Sequence, residues 1–256
     1  MNRRLFLGTI AMSAASLPAA PKGAVIELRW LRLRNNHDNQ MRRTSEFLEK
    51  HYVPAMRRAG AGAMGFFANL IGTDTPSILY LVSYPSLAAY EAIAEKTSED
   101  QEFQKALAAY YAVPGLGYVR TENSLLRAFD ATPAVEPPPS EADRPPRIFE
   151  LRVYESDNFA TLERKIKMFE NGEIAIFRRL GMRPVFFART LVGPRMPNLT
   201  YLLAFDSLAA RENAWRAFGA DPEWQKLRAQ PGLADAEIVS NISNVILRPL
   251  PFSPIR

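Results

Sequence analysis

The feature that most constrains the fold is an internal repeat. The hexapeptide DPEWQK at residues 221–226 answers DQEFQK at residues 100–105, an offset of 121 residues. The same offset relates PSILYL to PNLTYL and one SLAA to a second, while local shifts to 120 or 123 are of the size that loop insertions produce. Because the register is kept across separate blocks, the pattern indicates an internal duplication, and both halves must form the same structural unit.

A proline-rich segment separates the two copies. Residues 130–146, DATPAVEPPPSEADRPP, contain six prolines and no aromatic residue. Proline lacks a backbone N–H and favours extended conformations, so this segment is predicted to be a linker rather than part of a sheet. The predicted domains are therefore residues 24–129 and 147–249, followed by a C-terminal tail at residues 250–256.

Each half carries the same order of hydrophobic patterns. In the second half, alternating apolar residues predict a strand at 148–154, and apolar residues at helical spacing predict a helix at 161–180 that Gly181 ends in a left-handed cap. The remaining predicted elements are strands at 185–192 and 199–205, a helix at 208–218 capped by Ser207, a further helix starting at Asp221 and a closing strand at 238–248. The order strand, helix, strand, strand, helix, strand is typical of a ferredoxin-like α+β unit.

Two such units can cover each other. A single ferredoxin-like sheet has helices on one face only, so its other face needs a partner. We therefore expect the tandem repeats to form one intramolecular pseudo-dimeric α/β barrel with its helices outside. The side chains expected to line the interior, on the strand faces turned away from the helices, are Glu27, Arg29, Glu150, Arg152 and Tyr154.

The first 20 residues, MNRRLFLGTIAMSAASLPAA, are typical of a signal peptide. Arg3 and Arg4 precede an alanine-rich apolar stretch that is too short to span a membrane as a helix. The arginine pair, followed by Phe6 and Leu7, favours a twin-arginine signal, and the alternatives are a general secretory signal or a basic N-terminus that is never cleaved. The sequence thus predicts an exported protein, periplasmic or in the cell envelope, without a transmembrane segment.

The composition excludes several kinds of active site. The chain has no cysteine, which excludes thiolate nucleophiles, and its two histidines, His37 and His51, are too few for a multi-histidine metal centre. No metal site and no cofactor are predicted, with haem held by one of these histidines as the alternative. Glu170 and Glu173, three residues apart on one helix, are expected on a solvated face. The net charge of +5 comes from Lys and Arg residues spread along the chain, so nucleic-acid binding is not predicted.

Charged pairs recur on the first strand of each half. Glu27 and Arg29 correspond to Glu150 and Arg152, two residues apart on one strand face. Buried charges must be paired, so one interpretation is a structural ion-pair network across the two halves. The other is a polar patch that orients a ligand, in which Glu150 accepts a proton and Arg152 stabilises the resulting anion.

Three further residues are site candidates. His51, in the first helix, is either a general base or a partly exposed helix residue. Tyr154 shares the strand face of Arg152 and is a candidate ligand contact. Trp224, which matches Phe103 of the first half, is either a ligand contact or an aromatic anchor of the core.

Five longer motifs are similar to those of a known family. They are FELRVYES, NGEIAIFRRLGMRPVFF, GPRMPNLTYLLAFDSLAAR, FGADPEWQKLRA and SNISNVILRPLPFSPI, all in the second half, and the first half matches more loosely. These motifs resemble NIPSNAP-family domains of the dimeric α/β-barrel superfamily, of the exported bacterial type. The resemblance implies the barrel fold but no single reaction, because the wider superfamily includes cofactor-free oxygenases, enzymes of aromatic metabolism and haem proteins.

Two functions are compatible with the sequence. The first is a barrel that binds a small, partly apolar molecule, with metal-free proton abstraction or cofactor-free oxygenation as the reaction if the protein is an enzyme. The second is a non-catalytic protein-binding or scaffold protein of the cell envelope. A further homo-oligomer is compatible with either function.

Overall fold

The structure, a computed structural model, describes residues 23–35, 37–139 and 145–256. The predicted signal peptide and part of the predicted linker lie outside these residues. The elements of the first half are β1 (Val25–Arg32), α1 (Gln40–Phe47), a π-helical segment (Leu48–Tyr52), α2 (Val53–Ala59), β2 (Met64–Ile71), β3 (Ser77–Tyr84), α3 (Leu87–Glu99), α4 (Gln101–Ala112) and β4 (Arg120–Ala128).

The second half repeats this order. Its elements are β5 (Ile148–Glu155), α5 (Phe159–Met168), a second π-helical segment (Phe169–Glu173), α6 (Ile174–Arg179), β6 (Arg183–Val192), β7 (Asn198–Phe205), α7 (Leu208–Ala220), α8 (Pro222–Arg228), α9 (Asp235–Ile238) and β8 (Asn241–Pro249). Among the described residues, no helix has the length and apolar character needed to cross a membrane.

Three helix boundaries lie at the residues that the sequence indicates, namely the starts of α7 and α8 and the end of α6. The hydroxyl oxygen of Ser207 accepts a hydrogen bond from the backbone N–H of Ala210 and so caps α7. The carboxylate of Asp221 caps α8 in the same way, with Pro222 in the first turn. Gly181 follows α6 with a φ of 76°, the left-handed conformation expected of a helix end.

Two elements differ from the prediction. The helix expected at 161–180 is interrupted by a π-helical segment, and its first-half counterpart is interrupted at the matching place. A π-helical turn contains an extra residue, so it changes which side chains face the sheet. The closing strand begins at Asn241 instead of Ile238, because residues 235–238 form the short helix α9.

The eight strands close into one antiparallel barrel in the order β1-β3-β2-β8-β5-β7-β6-β4. Each half contributes four neighbouring strands in the ferredoxin-like order. The pairs β2–β8 and β4–β6 join the two halves, with Phe67 opposite Pro249 and Ala128 opposite Ala188. The predicted intramolecular pseudo-dimeric barrel of two tandem repeats is confirmed.

The barrel interior is filled with apolar side chains. All eight strands contribute to this central core: Ile26, Leu28, Phe67, Leu79, Leu81, Leu126, Phe149, Leu151, Val185, Phe186, Ala188, Leu202, Ala204 and Leu247. Two further cores lie outside the barrel, each between the outer face of one half-sheet and the helices of that half. The described part of the chain therefore has one shared core and two outer layers.

The prediction that polar side chains line the barrel interior is wrong. Glu27, Arg29, Glu150, Arg152 and Tyr154 lie on the outer strand faces, against the helices of their own half. Side chains of the helices can pair with these groups, whereas the central core is built from apolar residues. The alternation along β1 and β5 separates the two faces correctly. Both faces are buried, however, so alternation alone does not identify the inner one.

Candidate functional site

A cavity of about 320 Å³ lies between the outer face of the first-half sheet and its helices. Strands β1 and β3 form its floor with Glu27, Arg29, Tyr80 and Tyr84. The walls are mostly apolar or aromatic: Thr44, Phe47, Leu48, Tyr52, Met56, Tyr90, Ile93, Ala94, Thr97, Phe103, Leu107, Tyr110 and Tyr111. An aromatic lining with a few convergent polar groups is the usual composition of a small-molecule site.

The carboxylate of Glu27 is the central polar group of the floor. Its Oε1 accepts hydrogen bonds from Arg29 Nη2 at 2.5 Å and Asn123 Nδ2 at 3.1 Å, and its Oε2 accepts one from the Tyr84 hydroxyl at 2.9 Å. The Glu27 residue is 1 % exposed. Since a carboxylate has about four acceptor positions, Oε2 retains the capacity to accept a further donor.

Tyrosine hydroxyl groups surround this carboxylate. Burial, and then the negative charge of Glu27, raises the pKa of Tyr84 well above its ordinary value. Burial likewise raises the pKa of Tyr52 and of Tyr80. All three phenols therefore stay protonated at neutral pH and act as neutral hydrogen-bonding groups.

Arg29 supplies the positive charge of the floor. Burial alone would lower the pKa of Arg29, but Tyr80 and Glu27 outweigh it and raise that pKa above the ordinary arginine value. The guanidinium carbon lies 5.4 Å from the ring centroid of Tyr80. The floor thus presents an ion pair beside aromatic faces, an arrangement that can orient a planar molecule.

The corresponding carboxylate of the second half is enclosed by side chains. Glu150 accepts hydrogen bonds from Arg152 at 2.9 Å, Asn244 at 3.1 Å, Arg211 at 2.6 and 2.9 Å, and Trp215 Nε1 at 2.7 Å. Burial would raise the pKa of Glu150, but the bond from Arg211, the charge of Arg152 and the bond from Trp215 lower it overall. So many donors favour the structural interpretation of Glu150.

Sequence differences between the repeats explain why Glu27 borders a cavity whereas Glu150 is enclosed by side chains. Larger second-half residues lie opposite smaller or uncharged ones at the offset of 121: Trp215 opposite Ala94, Arg211 opposite Tyr90, and Lys165 opposite Thr44. The alignment of α3 with α7 is well defined, because each helix has 13 residues and each follows a capping serine, Ser86 or Ser207. The space that is a cavity in the first half is occupied by these side chains in the second.

Lys165 is buried in the second half at the position that matches Thr44 of the cavity wall. Its Nζ lies 3.0 Å from a carboxylate oxygen of Glu173. It also lies 5.5, 4.9 and 5.4 Å from the ring centroids of Tyr154, Phe169 and Trp224. Tyr154 and Trp224, both predicted as ligand contacts, thus form walls around the protein's own ammonium group.

The predicted histidine candidates lie away from the cavity. His51 is half-buried in the first π-helical segment, where it borders a surface groove with Lys50 and Lys105. Its ring centroid is 5.9 Å from that of Phe47. His37 is exposed in a turn. A catalytic role for His51 and haem binding through either histidine remain predictions.

The structure brings Glu27 and Arg29 together in the cavity, and places Glu150 and Arg152 in the filled counterpart. Several residues of the site were not singled out from the sequence, namely Tyr52, Tyr80, Tyr84 and Ala94. An alignment of the two repeats could have identified Ala94, because it aligns with a tryptophan, Trp215, in the other copy. The tyrosines gave no local signal, since Tyr52 lies on a helical segment, Tyr80 and Tyr84 lie on β3, and these elements meet Glu27 of β1 only in the folded chain.

The comparisons with known proteins agree with this architecture. The sequence model of the NIPSNAP family matches residues 26–133 and 149–254. No curated protein matches the sequence.

Among solved structures, a monooxygenase-like protein from Fusobacterium nucleatum subsp. nucleatum aligns with 89 % of this chain and 93 % of its own, at 8 % identity and a TM-score of 0.58. A second monooxygenase-like protein, from Lactobacillus acidophilus, aligns with 88 % of this chain and 93 % of its own, at 10 % identity and a TM-score of 0.57. A NIPSNAP-like domain protein from Burkholderia xenovorans aligns with 42 % of this chain and 89 % of its own, at 28 % identity and a TM-score of 0.37. At such identities, the first two likenesses show the fold alone.

Proposed function

This chain belongs to the NIPSNAP family, and from that premise we propose that its first half binds a small, partly apolar molecule in the cavity between sheet and helices. The observation that carries the proposal is the difference between the two repeats. Trp215, Arg211 and Lys165 occupy this space in the second half, whereas smaller or uncharged residues leave it open in the first. A fold shared by many activities does not by itself supply this conclusion.

The chemistry available in the cavity needs no metal. The carboxylate of Glu27 can accept a proton from a bound molecule, and Arg29 can stabilise the anion that forms. For an oxidative reaction we propose that dioxygen, as the oxidant and oxygen source, forms a C–O bond with the carbon of this anion, and that the resulting peroxide takes back the proton from Glu27 to leave a hydroperoxide. Two proteins of similar fold are described as monooxygenase-like, which is compatible with this chemistry. For this chain, oxygenation is proposed only as the reaction that would follow binding.

The binding proposal is tested by native mass spectrometry of the purified chain together with its absorption spectrum. Ala94→Trp introduces into the first half the residue that fills the second, so we expect any co-purifying molecule to be lost, with occupancy falling by about tenfold or more. Ala92→Trp is the matched control, because Ala92 is exposed on the same helix and does not line the cavity.

The outcomes separate the two functional hypotheses. Retention of a bound molecule by the control and its loss from Ala94→Trp would support the cavity as the binding site. A molecule retained equally by Ala94→Trp would contradict that assignment. Wild-type protein that is empty and colourless would count against the proposal and favour the alternative, a non-catalytic protein-binding or scaffold protein of the cell envelope.

We also propose that the protein is exported, with residues 1–20 acting as a twin-arginine signal. Changing Arg3 and Arg4 together to lysine is expected to leave most of the protein in the cytoplasm with its N-terminus uncut. The measurement is the intact mass of the protein in periplasmic and cytoplasmic fractions. An unchanged amount of cleaved protein outside the cytoplasm would contradict the twin-arginine assignment.

A further inference from the structure

We propose that the molecule taken by the first-half cavity is a planar aromatic compound carrying an N–H or O–H group that donates to Glu27 while its ring stacks on Arg29. The inference rests on the proposed function and specifies the class of ligand. Its template is the indole of Trp215, which occupies the equivalent position of the second half.

The indole of Trp215 is held by two interactions with the strand below it. Its Nε1–H donates to Glu150 Oε2 at 2.7 Å, a bond to a charged and buried acceptor. The guanidinium carbon of Arg152 lies 4.4 Å from the indole centroid. Phe177 and Phe218 contact the ring edge-to-face at centroid distances of 5.5 and 5.7 Å. The second half therefore shows how this sheet face binds a planar N–H donor.

The first half contains the same carboxylate and guanidinium groups on its first strand, and these two groups are called the recognition frame. Glu27 and Arg29 correspond to Glu150 and Arg152 on the first strand of each repeat. The last strand contributes an asparagine to each carboxylate, and the Asn123–Glu27 and Asn244–Glu150 bonds are both 3.1 Å long. The acceptor and the cation are therefore both present in the first half, where Glu27 accepts a hydrogen bond from Arg29.

The first-half carboxylate accepts fewer donors than its counterpart. In the described part of the chain, Oε2 of Glu27 is bonded by Tyr84, whereas Oε2 of Glu150 is bonded by Arg211 and Trp215. The position from which Trp215 reaches its acceptor is occupied in the first half by Ala94. A ligand N–H or O–H group in the place of the indole N–H would donate to the remaining acceptor position of Glu27 Oε2, as Trp215 donates to Glu150 Oε2.

The surrounding wall leaves room for a ring of indole size or somewhat larger. Met56 and Thr97 line the cavity where Phe177 and Phe218 enclose Trp215. A methionine side chain is flexible and makes favourable contacts with aromatic rings. The wall can therefore adapt to the ligand while the frame on the sheet fixes its orientation.

The test uses indole and benzofuran as probes, because these two ring systems have nearly the same shape and differ in the N–H donor. Isothermal titration calorimetry on the full chain is expected to show one site, with indole bound about tenfold tighter than benzofuran. The Ala94→Trp variant should lose this site, and the Ala92→Trp variant should keep it.

A second variant calibrates the measurement. Trp215→Ala removes the internal indole, and we expect it to gain a second site that also prefers indole, because Glu150 and Arg152 then face an empty volume. Thermal unfolding of each variant verifies that it is folded. If Trp215→Ala does not fold, the wild type, Ala94→Trp and Ala92→Trp still decide the question.

Equal affinity for the two probes in wild-type protein, with both lost in Ala94→Trp, would overturn the inference and leave the binding proposal intact. If neither indole nor benzofuran binds to the wild-type protein, the inference is also overturned. Loss of a co-purifying molecule in Ala94→Trp would still support the proposed function in that case, so failure of the inference and failure of the function are distinguishable.

Discussion

At the scale of single residues, the most unusual feature is the buried ion pair of Lys165 and Glu173. Both side chains are almost completely removed from water, although the sequence predicted a solvated face for Glu173. Burial would lower the pKa of Lys165, but Glu173 and Asp235 outweigh it and raise that pKa above 10.5. Complete burial raises the pKa of Glu173 despite the neighbouring ammonium group. The ammonium group of Lys165 is therefore stabilised by its neighbours, whereas the carboxylate of Glu173 is held at a desolvation cost that Lys165 offsets only in part.

Removal of one partner should be far more damaging than removal of both. Lys165→Met leaves a buried carboxylate without its countercharge, so we expect the free energy of unfolding to fall by about 3–5 kcal/mol. Combining it with Glu173→Leu should recover most of that loss. Urea unfolding curves measure the difference.

The exposed pair of Arg42 and Glu46 provides the control. Arg42→Met should change the free energy of unfolding by less than about 0.5 kcal/mol, because exposed ion pairs contribute little. A Lys165→Met variant as stable as the wild type would contradict the role assigned to the buried pair.

The pair also predicts a pH dependence. The pKa of Lys165 is higher in the folded protein than in the unfolded chain, so its stabilising contribution is fully present below pH 10.5 and is lost as the pH rises through the folded-state value. As the pH rises above 10.5, the wild type should lose stability more steeply than the double variant. If the free energy of unfolding falls with pH equally in the wild type and the double variant, this assignment is contradicted.

At the scale of elements, the two DxE(F/W)QK segments show how a local signal fixes a helix. In each copy an aspartate caps a helix, and an aromatic ring three residues later anchors it: Asp100 with Phe103, and Asp221 with Trp224. Asp221 accepts hydrogen bonds from the backbone N–H groups of Glu223 and Trp224, both at 3.1 Å. Such contacts lie within one turn, which is why the sequence predicts them.

The cap of α8 gives a direct prediction. Asp221→Ala removes the acceptor of two backbone donors and the partner of Arg179, so the melting temperature is expected to fall by about 2–4 °C. Asp221→Asn keeps a capping oxygen and should lose less. Differential scanning calorimetry compares the variants, and an Asn variant as unstable as the Ala variant would show that the charge, not the cap, matters.

At the scale of the whole molecule, the duplication produces one barrel with two unequal outer layers. Strand pairs between the copies close the sheet, and side chains from all eight strands fill its interior. The symmetric part is the shared core, which both repeats must preserve for the barrel to close. In the described part of the chain, each outer layer packs mainly against the helices of its own half, with a few contacts such as Phe129 and Leu250 from the other. One copy could therefore fill its layer with Trp215, Arg211 and Lys165 while the other kept a cavity.

The sequence by itself determined the repeat, the order of strands and helices, the helix caps and the barrel, because each is encoded by local periodicity or by the match between the copies. It also placed Glu27 and Arg29 on one face of β1. Only the tertiary structure decided that this face points outward, because both faces of the strands are buried and alternation does not distinguish them. It alone decided the contents of the two layers as well: Glu150 meets donors 61 and 65 residues along the chain, and such contacts leave no local pattern.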